Sequence, residues 1–497
     1  MMGKYDVIII GSGLGGLLCG NILSEEGYNV CILEKNPKPG GCLQVFVRDK
    51  CIFSTGLNYT EGLAEGQILY RYFKYFGIMD KLKLKRMDID GFEVITFQGK
   101  EYRHAQGEEN FIETLAKEFP DERKAITNYI KKLKHICNQF PLYNLDTENI
   151  NVNYTDLFSE SAFGYIKSIT KNKILQNVLA GNNLLYAGVP DKTPLYVHAL
   201  ITYSFINSSW RCIDGSQQIA KILSDSIKSN GGTILRNSEV TKLVFENDVL
   251  KYALLTNNEK IEAENFISNV HPVNTLKMID GHYFSKAYKS RVNSLENTIP
   301  VFTLYVVLKE NTCEYMNYNH YYFDNDTVWT TASYSEKEWP QSYMLYTPAI
   351  SKSDKYADCM IIMTYMKYNE LTKWENTKVE NRGEDYKEFK IKKAEKLLDL
   401  VEKKFPEIRT KIKKYYTSTP LTYRDYTGTF QGTSYGILKD FNDPYKTLIT
   451  PKTKISNLFF TGQNLNIHGI LGVAIGAVMT CGELVGLDYL VKKIKTY

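Results

Sequence analysis

Six residues near the start, Gly11-Ser12-Gly13-Leu14-Gly15-Gly16, carry the clearest chemical signal in the chain. They match the spacing GxGxxG, directly after an apolar run. In such a turn the first glycine permits the sharp bend. The second lets the backbone approach a pyrophosphate, and the third lets the next helix pack close to the sheet. Free N–H groups at that helix N-terminus carry partial positive charge and suit phosphates. Glu34 stands about 20 residues further on, where a carboxylate accepts ribose hydroxyls. The chemistry implied is the grip of an adenine dinucleotide. The motif alone leaves NAD and FAD both open.

The elements that must hold this turn are legible around it. Residues 5–10 (YDVIII) form an unbroken apolar run, as in a buried parallel strand. Helical periodicity follows over 14–26 and Gly27 closes it. Residues 29–34 read as a second buried strand, completing one βαβ unit. Amphipathic helical patterns occupy 68–78 and 111–140, and mostly helical sequence continues over 155–210. A helix is expected over 215–229, a turn at Gly231-Gly232, and extended segments over 233–245. Strands are expected over 300–310 and 359–367, and a long charged helix over 383–412. A short buried strand at 457–461 leads into a helix over 469–493.

Composition narrows the class. At 497 residues the chain holds two or three domains, and its 43% apolar content is that of a globular protein. The net charge of +5 comes with no dense basic stripe, which argues against nucleic acid. Nine cysteines without CxxC spacing read as reduced thiols of a cytoplasmic protein, and seven scattered histidines offer no metal site. Residues 463–482 lack formal charge but contain four glycines and begin with polar groups, so a buried helix explains them better than a membrane span. Residues 73–87 interleave aromatic and aliphatic side chains with Lys74, Lys81, Lys83, Lys85 and Arg86. A solvated amphipathic face is the default reading, and peripheral contact with the inner face of a membrane is the alternative.

Beyond the first motif come Lys35, Asn36 and then Pro39-Gly40-Gly41. Here the sequence resembles the flavoprotein superfamily of the glutathione reductase type. In that superfamily a Gly-Gly pair approaches the FAD pyrophosphate, and many members follow it with Arg; this chain has Cys42. The run Asp214-Gly215-Ser216-Gln217-Gln218, then Glu239-Val240, resembles the segment returning to the nucleotide domain, and Phe266-Ile267-Ser268-Asn269 with His271-Pro272 the strand closing it. Residues 421–428 (LTYRDYTG), 458–464 (LFFTGQN) and Gly469-Ile470-Leu471-Gly472 resemble carotenoid isomerases and retinol saturases of the phytoene desaturase-like group.

The resemblance implies an α/β fold: a Rossmann-type FAD-binding domain interwoven with an α+β substrate domain, without a separate NAD domain. The expected boundaries are 1–75, 205–285 and 415–497 for the first, and 76–204 and 286–414 for the second. It implies FAD contacts at Gly11, Ser12, Gly13, Gly15, Gly16, Glu34, Lys35, Gly40, Gly41, Val240, Gly462, Asn464, Gly469 and Leu471. A flavin carries the redox chemistry itself, so no triad is expected. His468 and Asn464 are the catalytic candidates, with His468 as a hydrogen-bond or proton donor. Asn58 and Tyr59 are candidate substrate-side residues, and Arg424 and Asp425 read as a pair fixing a turn.

The expected activity is saturation, desaturation or isomerisation of double bonds in an apolar polyene or isoprenoid. NAD(P)H fits as a transient electron donor. The alternatives are a flavin amine or porphyrinogen oxidase and a non-catalytic prenyl-protein-binding protein on the same fold. The oligomeric state is not readable.

Overall fold

Tyr5–Ile10 (β1) cannot tolerate water on either face, because Val7, Ile8 and Ile9 are completely buried. The chain meets that demand with a parallel sheet covered on both sides. The protein, a computed structural model describing residues 4–146 and 154–497, places β1 between two parallel partners. Ile9 stands beside Ile32 of Val30–Leu33 (β2) on one side. On the other it stands beside Ile267 of Lys260–Ser268. Between them in the chain lie the helix Leu14–Glu25 (α1), the helix Gln217–Ser229 (α2) and the strands Thr233–Leu235 (β3), Val240–Glu246 (β4) and Val249–Leu255 (β5). Lys260–Ser268 is β6, Leu458–Phe460 is β7 and Gly469–Val485 is the helix α3. The parallel order is β3-β2-β1-β6-β7, while β4 and β5 continue from β6 as an antiparallel ribbon. Residues from both ends of the chain therefore share one sheet.

Helix α1 buries nearly its whole surface, from Gly15 to Ser24. One side lies on α3, where the Cys19 thiol sits against the Ala477 carbonyl at 3.9 Å. Toward α2, Asn21 Nδ2 donates to Ser226 Oγ at 2.8 Å. Gly20 leaves room for the Ile32 side chain; a Cβ there would sit 2.7 Å from its Cδ1.

A second sheet of seven strands provides the other wall of the molecule. Its order is Ile412–Ser418, Val301–Leu308, Cys359–Tyr365, Ser342–Tyr346, Asn319–Phe323, Glu93–Phe97, Lys100–His104. All neighbours are antiparallel except Asn319–Phe323 with Glu93–Phe97. The strand Ile412–Ser418 runs across the boundary expected at 414, because its hydrogen bonds to Val301–Leu308 hold it in this sheet. A three-stranded sheet with Ser209–Cys212 at its centre, flanked by Thr60–Glu61 and Leu84–Arg86, joins the two walls.

Three expected helices are broken where backbone chemistry requires it. The pattern over 111–140 is two helices, Glu108–Glu118 and Arg123–Asn138, with Pro120 between them. The pattern over 469–493 bends at Gly486, whose φ of +103° ends α3 before Leu487–Lys495. The charged segment forms Glu384–Glu402 and then a single turn, Ile408–Lys411. Within 73–87, Phe73, Phe76, Ile78 and Met87 are buried in the core, while Met79, Leu82 and Leu84 are only partly buried. Among the described residues no helix is long and apolar enough to cross one.

Leu18 is fully buried in α1. Leu18→Ala is expected to cost about 2–5 kcal/mol by removing packed methyl groups and leaving a cavity. Urea denaturation read by circular dichroism checks this.

Candidate active site

The first glycine turn and the turn after β7 converge on one side chain, Asn269, which follows β6, while Gly41 packs on Gly13 of the first turn. Its Nδ2 donates to the Gly11 carbonyl at 3.3 Å. Its Oδ1 lies where Cβ atoms on Gly15 and Gly462 would be, at 2.6 and 2.5 Å. A Cβ on Gly15 would also come within 2.9 Å of Gly462 Cα, and one on Gly16 within 2.1 Å of the Gly11 carbonyl. Only glycine lets these backbones approach so closely. In the sequence Asn269 reads only as part of a strand; the fold makes it the pin of the cradle.

Above this cradle lies a cavity of about 290 Å³. Of the expected cofactor residues, Gly13, Gly15, Gly40, Gly41, Gly462, Asn464, Gly469 and Leu471 line it. Gly11, Ser12, Gly16, Glu34, Lys35 and Val240 do not line it but surround the ribose end of the turn. Glu34 is buried, with Oε2 accepting from the Ser12 backbone N–H at 3.0 Å and from the Ser12 hydroxyl, and Oε1 accepting from Asn36 N–H at 2.8 Å. The Glu34 carboxylate thus braces the turn itself. Val240 begins β4 two residues after Ser238, whose N–H donates to the Glu34 carbonyl at 2.8 Å. Lys35 is directed elsewhere: its Nζ donates to the Asp425 carbonyl at 2.7 Å, tying the ribose end to the helix Pro420–Thr427. Cys42 lines the cavity and is exposed to it.

The residues present fit FAD, because Gly13, Gly15, Gly40, Gly41 and Gly462 turn backbone without side chains toward the cavity, and α3 begins at the same cavity. The walls beyond the cradle are apolar: Leu185, Leu200, Ile201, Phe205, Val301 and Met363. Leu200, Ile201 and Phe205 come from the helix Leu195–Asn207, which is buried almost throughout.

Two polar side chains stand out against this wall. Glu61 is 93% buried by its 7% exposure, and its Oε1 accepts the Leu471 N–H at the start of α3 at 3.2 Å. Burial raises its pKa, partly offset by backbone and Thr60 hydrogen bonds. It is the one carboxyl lining the cavity among the described residues. Nothing in the sequence singled it out. His468 precedes α3 and stacks on Tyr435, with ring centroids 4.5 Å apart. Its Nε2 faces the Leu185 carbonyl at 2.9 Å. A carbonyl only accepts, so this nitrogen carries the hydrogen and gives it to Leu185. Burial drops the His468 pKa to about 4, and Lys439 adds to the fall. His468 is therefore a neutral ring whose Nε2–H is engaged by Leu185.

Asn464 lines the cavity, but its Oδ1 accepts the Ile437 N–H at 3.1 Å, which anchors the 436–437 turn. Tyr59 has its ring in the wall while its hydroxyl reaches Glu93 and Tyr321, the latter at 2.8 Å. Glu93 also meets His104 Nδ1 at 3.0 Å. Asn58 is held by the Tyr346 hydroxyl. Arg424 pairs with Asp425 at 2.8 Å, and Arg382 also binds Asp425, so this cluster is a turn brace.

Residues 14–480 match the family described as flavin containing amine oxidoreductase. The chain is 22% identical to an all-trans-retinol 13,14-reductase of Danio rerio, over 97% of this chain and 86% of that protein. It is 24% identical to a chloroplastic prolycopene isomerase of Daucus carota, over 98% of this chain and 80% of that one. Among solved structures, an oxidoreductase from Methanosarcina mazei shares the fold with a TM-score of 0.64 at 16% identity, over 95% of this chain and 98% of that chain.

Gly15→Ala is expected to weaken FAD binding at least about tenfold, or about 1.4 kcal/mol, measured by flavin fluorescence titration. Gly66→Ala, with nothing within 4 Å of its added Cβ, should leave FAD affinity unchanged. The His468 pKa is lower in the folded protein than its ordinary 6.5. Its contribution to stability is thus complete above pH 6.5 and is lost as pH falls toward about 4. Denaturation across this range should show a shallower loss for His468→Gln than for the parent.

Proposed function

The chain belongs to the flavin containing amine oxidoreductase family, and from that premise we propose that it is an FAD-dependent oxidoreductase acting on carbon–carbon double bonds of an apolar polyene. The carrying observation is the apolar cavity that opens directly onto the glycine cradle. The retinol reductase and prolycopene isomerase relatives align along nearly the full chain, which supports the same substrate class.

When bound, FAD supplies the hydride and electron chemistry. The chain does the rest. Gly11 to Gly16, Gly40, Gly41 and Gly462 form the cradle, with Glu34 and Asn269 holding its shape. Leu200, Ile201, Phe205 and Met363 exclude water and bind a flat unsaturated chain by area alone. Glu61 stands beside this wall with its carboxyl pKa raised by burial, where it can exchange a proton with a carbon of the substrate. His468 orients through its Leu185 bond and does not supply the proton.

In this reading residues 1–75, 205–285 and 415–497 hold the cofactor and 76–204 and 286–414 shape the substrate side, with the second-sheet strand Ile412–Ser418 crossing between them. A nicotinamide donor reaching the same cradle and a cytoplasmic location complete the proposal.

The decisive experiment incubates anaerobic, dithionite-reduced holoprotein with all-trans-retinol and with carotenoids, followed by chromatography. Loss of a double bond or a change of isomer is expected. No turnover of any polyene, with peroxide released from amines, would overturn the reading. Glu61→Gln should lower turnover about 100-fold with FAD content unchanged. Where the protonated carboxyl is required, parent activity should fall as pH rises through the raised Glu61 pKa, and the variant should lose that limb.

A further inference from the structure

Arg211 sits in the middle strand of the three-stranded sheet, at 1% exposure. Its Nη2 donates to the Tyr318 carbonyl and to Asn319 Oδ1, both at 2.9 Å, with the Met316 carbonyl at 3.5 Å. Its Nε and Nη1 have no partner. The guanidinium lies 5.4 Å from the Tyr346 ring centroid, and no Asp or Glu forms an ion pair with it among the described residues. Burial pulls its pKa down, which is the signature of an uncompensated charge. Buried guanidinium groups are normally paired, and buried N–H groups normally have acceptors.

Arg211 lines a narrow cavity of about 10 Å³ with Asn58, Cys212, Asp214, Ser216 and Tyr346. That volume suits a single water or one carboxylate oxygen. Ser216 is the N-cap of α2 and gives it no side-chain cap, since its hydroxyl donates to the Leu43 carbonyl at 2.9 Å. The positive end of a 13-residue helix therefore adds to the field of Arg211. Asp214 shares the wall, where its Oδ1 accepts the Ser351 N–H at 2.9 Å. Leu57, Asn58 and Tyr59 line both this cavity and the large apolar one. A water would satisfy the N–H groups but leave the charge unbalanced. A carboxylate does both, and the shared residues set this site directly beside the large apolar cavity.

We propose that Arg211 is a carboxylate-binding site, and that the chain accordingly takes a polyene carrying a carboxylate at one end. This rests on the polyene reading above for the substrate, though the anion site itself does not.

The test is fluorescence-quench binding of all-trans-retinoic acid and all-trans-retinol to the FAD-loaded parent, Arg211→Met and Arg211→Lys, with sodium formate as a third probe read by thermal shift. The parent should bind the acid at least tenfold more tightly than the alcohol. Arg211→Met should bind both alike, and Arg211→Lys should keep part of the preference. Formate stabilising the parent but not Arg211→Met, without any preference for the acid, would keep the anion site and overturn the acidic substrate. Equal binding of acid and alcohol, with no response to formate, would overturn the site and leave a water-satisfied structural arginine. Binding of neither polyene would count against the polyene reading, while the formate arm would still decide Arg211. Should Arg211→Met not fold, Arg211→Lys and the parent's own acid-to-alcohol ratio decide the matter.

Discussion

Everything at the centre of this molecule depends on how closely two backbone turns approach Asn269. Its amide lies among Gly11, Gly15 and Gly462, in space that a methyl group on Gly15 or Gly462 would occupy. The first turn comes from the start of the chain, Asn269 from its middle and Gly462 from near its end. Because all three must coincide within ordinary contact distance, the parallel sheet has to bring β1, β6 and β7 side by side. The cradle and the sheet topology are thus one constraint.

That constraint also sets where α3 begins. The helix starts just beyond Gly462 and presents its N-terminus to the cavity. Glu61 takes one of its free N–H groups. A carboxylate at a helix N-terminus is normally stabilised as the anion, yet here burial wins and raises the pKa. His468, one residue before α3, is pushed the opposite way by the same low-dielectric surroundings, since its charged form is the cation. One apolar wall therefore shifts an acid upward and an imidazole downward side by side.

Polar groups behind the wall keep it rigid. The Tyr59 hydroxyl, Glu93 and His104 form a chain of buried hydrogen bonds that ends on the Val178 carbonyl at 2.9 Å. Glu93 and His104 belong to the second sheet, while Tyr59 belongs to the segment leading from the cradle. The network therefore fixes the distance between the sheet that holds the dinucleotide turn and the sheet that shapes the cavity. A fully satisfied buried network of this kind specifies one arrangement.

The sequence by itself determined the local features: the apolar strand 5–10, the GxGxxG turn, the helix after it, Glu34 at the end of β2, and the apolar glycine-rich run that became α3. Each is written in residues a few positions apart, where periodicity and backbone freedom act directly. It also marked Gly462, Asn464 and His468 as belonging near the cofactor by resemblance. Tertiary structure alone decided what those side chains do. Asn269 became the pin of the cradle, His468 gave its hydrogen to Leu185, Lys35 turned to Asp425, and Glu61 and Arg211 were carried into places without water. Roles of this kind depend on desolvation and on partners up to hundreds of residues away. No spacing along the chain encodes them, because they arise only when distant segments exclude solvent together.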